Sequence, residues 1–162
     1  SSSLRAPPPT TVHKAEVVPE VEGRAMVFVR MCPCRARDRA VDVVSRSGLV
    51  HLRGEAETRE FYFDGAFSEH AAQVEVFDAI GPQVLQAFMN GINGTVFAYG
   101  QTGSGKTYSL LNTGPRIEDA GLLPRMVVSL YAQLRADAAN EYEIQAAAVQ
   151  VYNEEVDDLL HL

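Results

Sequence analysis

Eight residues constrain this chain more than any other stretch. Gly100-Gln101-Thr102-Gly103-Ser104-Gly105-Lys106-Thr107 follows the G-x-x-x-x-G-K-[ST] spacing of a phosphate-binding P-loop. Glycines at this spacing let backbone N–H groups close around phosphate oxygens, and a helix leaving the loop adds unpaired N–H groups and a partial positive charge. The pattern arises by composition in roughly one chain in a hundred of this length, so the flanking residues must decide. GTVFAY (94–99) predicts a strand running into Gly100, and KTYSLL (106–111) predicts a helix leaving the loop. That order makes a working cradle the expectation, with ATP and Mg²⁺ as its ligands. Lys106 is then expected to reach the β- and γ-phosphates as the catalytic cation, and the Thr107 hydroxyl to ligate Mg²⁺. Backbone amides of Thr102, Gly103, Ser104, Gly105, Lys106 and Thr107 hold the remaining oxygens, while Gly100 and Gln101 open the loop.

The rest of the 162 residues suits an α/β domain around this loop. Residues 1–22 are rich in Ser, Thr and Pro, including Pro7-Pro8-Pro9, and read as a flexible leader; 23–162 read as the folded part. AMVFVR, VDVV, GLVHL and REFYF follow as short strands. Between Gln73 and Met89, Val76, Ile80, Val84 and Phe88 recur at helical spacing with Phe77 and Leu85 beside them, predicting a helix with one buried stripe. Pro82 is expected to kink it or to start a second segment, and Gly91 and Gly94 to end it. A second amphipathic helix is expected over Leu122, Leu123, Met126, Val127, Leu130, Tyr131 and Leu134, and EYEIQAAAVQVY predicts a long strand.

Several function classes are disfavoured. The net charge of −7 argues against a nucleic-acid-binding surface within these residues. Two cysteines one residue apart, Cys32 and Cys34, cannot build a disulfide framework or a four-thiolate zinc site. Neither a membrane-spanning apolar run nor a secretory signal is present, so an intracellular protein is expected. Glu154, Glu155, Asp157 and Asp158 read as the solvated side of a helically spaced face around Val156, Leu159 and Leu160, not as a metal cluster.

The stretch FYFDGAFSEHAAQVEVFDAIGPQVLQAFMNGINGTVFAYGQTGSGKTYSL closely resembles the part of kinesin motor domains that ends in their P-loop. VFVRMCP, GLLPR and VQVYNEEVDDLL resemble three further family segments, and all appear in the family's order. The resemblance implies a P-loop fold with a central mixed β-sheet flanked by helices, incomplete over these residues. It also implies an ATPase that works on microtubules, and a cytoplasmic, cytoskeletal location; it leaves the oligomeric state open. By the same resemblance Arg30, Pro33 and Tyr108 flank the adenine, and Cys32 stands where the family's R-x-R-P pattern has its second Arg. An aromatic face suits a base contact.

The family's later N-x-x-S-S-R-S-H and D-x-x-G segments do not occur within these 162 residues. The resemblance therefore implies the ATP-binding portion of a motor, with most of the microtubule-binding segments outside the stretch and little hydrolysis by the stretch alone. A non-motile, nucleotide-binding interaction module of kinesin descent is the alternative.

Overall fold

A computed structural model describes residues 25–33, 41–44, 48–54 and 57–160. The expected leader 1–22 lies outside these residues, as does Cys34. The chain divides into two compact units, one through Met126 and one from Val127.

The first unit is built on short strands. β1 (Phe28–Arg30) pairs in parallel with β5 (Gly65–Phe67), Val29 lying opposite Ala66. The Met31 N–H continues the ladder to the Phe67 carbonyl at 2.9 Å. Close packing explains Gly65, where a Cβ would lie 2.8 Å from the Phe28 ring. The Phe28 and Phe67 rings stack with centroids 6.2 Å apart. β5 was not expected: three residues are too few to display a two-residue period.

Between β1 and β5 in sequence runs an antiparallel meander of β2 (Val41–Val44), β3 (Leu49–Arg53) and β4 (Thr58–Tyr62), matching three expected strands. A cross-strand ion pair of Arg53 with Asp42 supports its register, and His51 lies opposite Glu60. The turn into β3 needs glycine, because Gly48 has φ +69° and a Cβ there would fall 2.0 Å from the Phe63 carbonyl oxygen.

Helix α1 spans Gln73–Met89, as its apolar spacing predicts. Glu75 Oε1 accepts the Ala72 N–H at 2.8 Å and so satisfies a donor at the helix start. At the other end Gly91, at φ +77°, completes a Schellman motif, with Ile92 N–H on the Ala87 carbonyl (2.9 Å) and Gly91 N–H on the Phe88 carbonyl (3.0 Å). The stripe buries Val76 and Leu85 but leaves Phe88 exposed. Pro82 does not divide the helix. It removes one N–H donor, the turns on both sides keep theirs, and Gln83 Nε2 donates to the Ala79 carbonyl at 2.8 Å.

Residues 94–99 depart from expectation. GTVFAY enters the P-loop without a ladder partner among the described residues, and Phe97 and Tyr99 are 79% and 95% exposed. A strand exists only through hydrogen bonds to a neighbour, so apolar pattern alone cannot make one.

Beyond the loop come α2 (Lys106–Leu111), a 3₁₀ turn (Ile117–Asp119) and α3 (Leu122–Ala136). Pro124 is tolerated in the first turn of α3, where N–H groups have no intrahelical partner. Gly121 lies against the end of α2: its N–H reaches the Asn112 carbonyl at 2.8 Å, and a Cβ would lie 2.8 Å from backbone atoms of Leu110 and Asn112. Arg125 fastens the 3₁₀ turn through the carbonyls of Ala120 (2.8 Å), Ile117 (3.1 Å) and Glu118 (2.8 Å). Leu122 is buried as expected, whereas Leu123 is half exposed.

The second unit holds the remainder of α3, on which Val127 and Tyr131 of the expected stripe are exposed, and a hairpin of β6 (Val149–Tyr152) and β7 (Glu155–Asp158). The long strand expected over EYEIQAAAVQVY is confined to its last four residues, and the helical face expected around Val156 is a strand. The cause is the turn. Tyr152 pairs with Glu155, leaving Asn153 and Glu154 as a two-residue loop with φ +50° and +67°, the type I′ geometry that matches strand twist.

Candidate functional site

The P-loop backbone takes its form from its glycines. Gly100, Gly103 and Gly105 have φ of +155°, +81° and +91°, values that side chains with a Cβ rarely adopt. At Gly100 a Cβ would also lie 2.5 Å from Ser104 Oγ, so a side chain there would have to displace that hydroxyl. The Ser104 N–H bonds the Gln101 carbonyl at 3.2 Å and forms the tight turn between them.

Gly105 is the cap of α2, and the first helical bond beyond it runs from Ser109 N–H to its carbonyl at 2.9 Å. The N–H groups of Lys106, Thr107 and Tyr108 therefore begin the helix ahead of any intrahelical acceptor. Lys106 Nζ donates across the loop to the carbonyls of Gly100 (2.9 Å) and Gln101 (2.8 Å), which brings a cation to the mouth of the cradle. Gln101, Thr102, Gly103 and Thr107 are exposed, and Ser104, Gly105 and Lys106 are half-buried.

These features fit a phosphate-bearing ligand: positive-φ glycines, N–H groups at a helix start, and the Lys106 ammonium at the loop mouth. Thr107 provides a hard oxygen beside them of the kind Mg²⁺ accepts. No cluster of three or more His, Cys, Asp or Glu that could hold a metal occurs among the described residues, and Glu154, Glu155, Asp157 and Asp158 are exposed on the hairpin.

The three residues assigned to the base fall differently. Arg30, at the end of β1, lies with its Cζ 5.1 Å from the Tyr108 ring centroid, so these two come together as a cation–π pair. Pro33 is exposed, and so is Cys32. Arg30 also carries bonds that were not expected: Nη1 donates to Gln73 Oε1 (2.8 Å) and Ser109 Oγ (3.0 Å), and Nη2 to the Ala71 carbonyl (3.0 Å).

Gln73 is the residue that sequence reasoning missed. Its Nε2 donates to the carbonyls of Tyr108 (2.8 Å) and Asp119 (3.3 Å), joining the start of α1 to α2 and the 3₁₀ turn. A signal was available, since Gln73 stands three residues before Val76 on the buried stripe, and a polar residue there needs partners. Asn112 makes a similar bridge, its Nδ2 reaching the Asp119 carbonyl at 2.6 Å.

A family model for the kinesin motor domain matches residues 30–162. Among similar proteins, kinesin-like protein KIN-14C of Oryza sativa subsp. japonica is 35% identical over 153 residues, covering 88% of this chain and 16% of the relative. Kinesin-like protein Klp61F of Drosophila melanogaster is 34% identical over 150 residues, covering 83% and 14%. A solved structure described as a fast kinesin superposes with TM-score 0.75 at 30% identity, over 83% of this chain and 40% of that one. The chain thus spans less than half the length of the proteins it matches.

Proposed function

The chain belongs to the kinesin motor domain family, and from that premise we propose that it forms the ATP-binding portion of a microtubule motor. Kinesin motor domains as a class bind nucleotide with Mg²⁺, hydrolyse ATP and act on microtubules of the cytoskeleton. The observation that carries the proposal for this chain is the P-loop itself, where Gly103 and Gly105 hold positive φ and Lys106 lies across the loop mouth.

In this reading Lys106 leaves the carbonyls of Gly100 and Gln101 and turns its ammonium to the β- and γ-phosphate oxygens. Amides from Thr102 to Thr107 hold those oxygens, and the Thr107 hydroxyl holds Mg²⁺. Mg-ATP supplies the divalent cation and the phosphoryl group that is transferred. Arg30 and Tyr108 border the base, with Pro33 beside them, and residues 1–22 form a leader to the motor fold of 23–162. The partner is the microtubule, reached mostly through segments outside this stretch. The 162 residues alone hydrolyse ATP negligibly, because phosphoryl transfer needs full positioning and the N-x-x-S-S-R-S-H and D-x-x-G segments do not occur within them.

Lys106→Ala tests the proposal. Charged hydrogen bonds contribute roughly 1.5–3 kcal/mol each, so Mg-ATP affinity is expected to fall about tenfold to a hundredfold. Microtubule-stimulated ATP turnover by the full-length protein is expected to be lost. Unchanged affinity, measured by titration calorimetry, would refute the assignment of the loop.

A further inference from the structure

Gln73 is the one buried polar side chain found among the described residues, 3% exposed, and all its bonds run to elements around the P-loop. An amide has one acceptor end and one donor end, and here both are engaged in a way that fixes its orientation. The acceptor takes Arg30 Nη1, and the donor end holds the Tyr108 and Asp119 carbonyls. Gln73 therefore grips both members of the cation–π pair, the guanidinium directly and the ring through the backbone of its own residue.

Among the described residues, the acceptors that hold Arg30 are the neutral Gln73 amide oxygen, Ser109 hydroxyl and Ala71 carbonyl. They orient the guanidinium without neutralising its charge. One side of the cation stays against the Tyr108 ring, which is itself about half exposed. The result is a flat, cationic and partly accessible platform, assembled in advance on a scaffold that reaches β1, α1 and α2.

We infer that Gln73 is a positioning residue for base recognition. It aligns Arg30 with Tyr108 for a planar, electron-rich base and so sets how much of the nucleotide's affinity depends on the base rather than on the phosphates. The inference rests on the reading of the P-loop as a nucleotide site bordered by Arg30 and Tyr108. A long arginine side chain that must be ordered at binding lowers affinity, whereas one already held does not. Gln73 acts through its neighbours and leaves the phosphate cradle, with its glycine-set backbone, unaffected.

The test compares ligands with and without a base in the full-length protein. Gln73→Met keeps the side-chain length and removes the hydrogen bonds; titration calorimetry then gives affinities for Mg-ADP and for Mg-tripolyphosphate. Mg-ADP affinity is expected to fall about three- to tenfold, while tripolyphosphate affinity changes by less than about twofold. Ser109→Ala, which removes a single Arg30 acceptor, is expected to shift the same ratio less far in the same direction, and it decides the matter if Gln73→Met does not fold. Equal losses for both ligands, or an unchanged ratio in a folded variant, overturn the inference and leave the nucleotide reading standing. Failure of the unaltered protein to bind either ligand overturns both.

Discussion

The P-loop and the β6–β7 hairpin both force the backbone to positive φ, and they do so by opposite means. In the P-loop the residues concerned are glycines, and the part-buried bonds of Gln73 and Arg30 lie beside the loop, at the start of α1 and in α2. In the hairpin the same region of φ is occupied by Asn153 and Glu154, on strands whose residues are all exposed. Glycine adopts this geometry at no steric penalty, so the P-loop conformation is written into the local sequence. A glutamate at φ +67° must be held there, and the four-pair ladder of Val149–Tyr152 with Glu155–Asp158 is what holds it. The contrast teaches that one backbone shape can be a property of its residues or a consequence of its neighbours.

Substitutions can test the packing that follows the P-loop and the contrast itself. The largest stability effect is expected at Gly121→Ala, whose new methyl group meets the backbone of Leu110 and Asn112 at 2.8 Å. Overpacking of this kind costs about 1–3 kcal/mol, and backbone atoms cannot turn aside as a side chain can. Urea denaturation should show the loss, and a neutral result would mean that α2 and the start of α3 are not in close contact.

A smaller effect of opposite sign is expected at Glu154→Gly. Relieving left-handed strain at a non-glycine residue stabilises by about 1 kcal/mol, partly offset by the greater freedom of glycine in the unfolded chain. Amide hydrogen exchange of Gln150, Asp157 and Leu159, whose N–H groups face the partner strand, should slow. Unchanged or faster exchange would show that Glu154 is not strained, and the contrast with the P-loop would disappear.

The smallest effect concerns pH. The Tyr142 hydroxyl, donating to Asp137 Oδ2, together with Asn140 Nδ2 at 2.9 Å and the Ala139 N–H on Oδ1 at 2.9 Å, holds the Asp137 carboxyl below its ordinary value. The same bond raises the Tyr142 hydroxyl. A carboxylate with a lowered folded value contributes stability that is present above its unfolded value and lost as pH falls through the folded one. The turn after α3 should therefore loosen in acid, as Asp137 takes up a proton, and again in strong alkali, as Tyr142 loses the proton it donates. An NMR titration of Asp137 with a midpoint at or above that of an unfolded aspartate would refute this, and Tyr142→Phe should move the midpoint upward.

Much of the candidate site was legible before folding. Lys106 and Thr107 follow from spacing, and α1 matches its expected ends because the apolar stripe and the Gly91 stop both act locally. For Gln73 the stripe signalled a buried polar residue in need of partners but not which ones, since Arg30, Tyr108 and Asp119 lie 43, 35 and 46 residues away. Residues 94–99 and the hairpin turn were misread for a related reason. Alternating or helical spacing describes what a segment could bury, while pairing decides what it becomes.

The sequence by itself determined the elements whose causes lie within a few residues: the P-loop glycines, the start and Schellman end of α1, and the proline-tolerant first turn of α3. Its motifs, in their order, also determined membership of the kinesin motor domain family. Only the tertiary structure decided that Arg30 would lie over Tyr108, that a buried glutamine would hold both, and that Asn153 and Glu154 would turn back a strand. The first two outcomes depend on hydrogen-bond partners brought together from distant parts of the chain, and a buried polar group takes whichever partner the fold supplies, because remaining unpaired is costlier than any local preference; the third depends on the exposed cross-strand ladder that the folded hairpin forms.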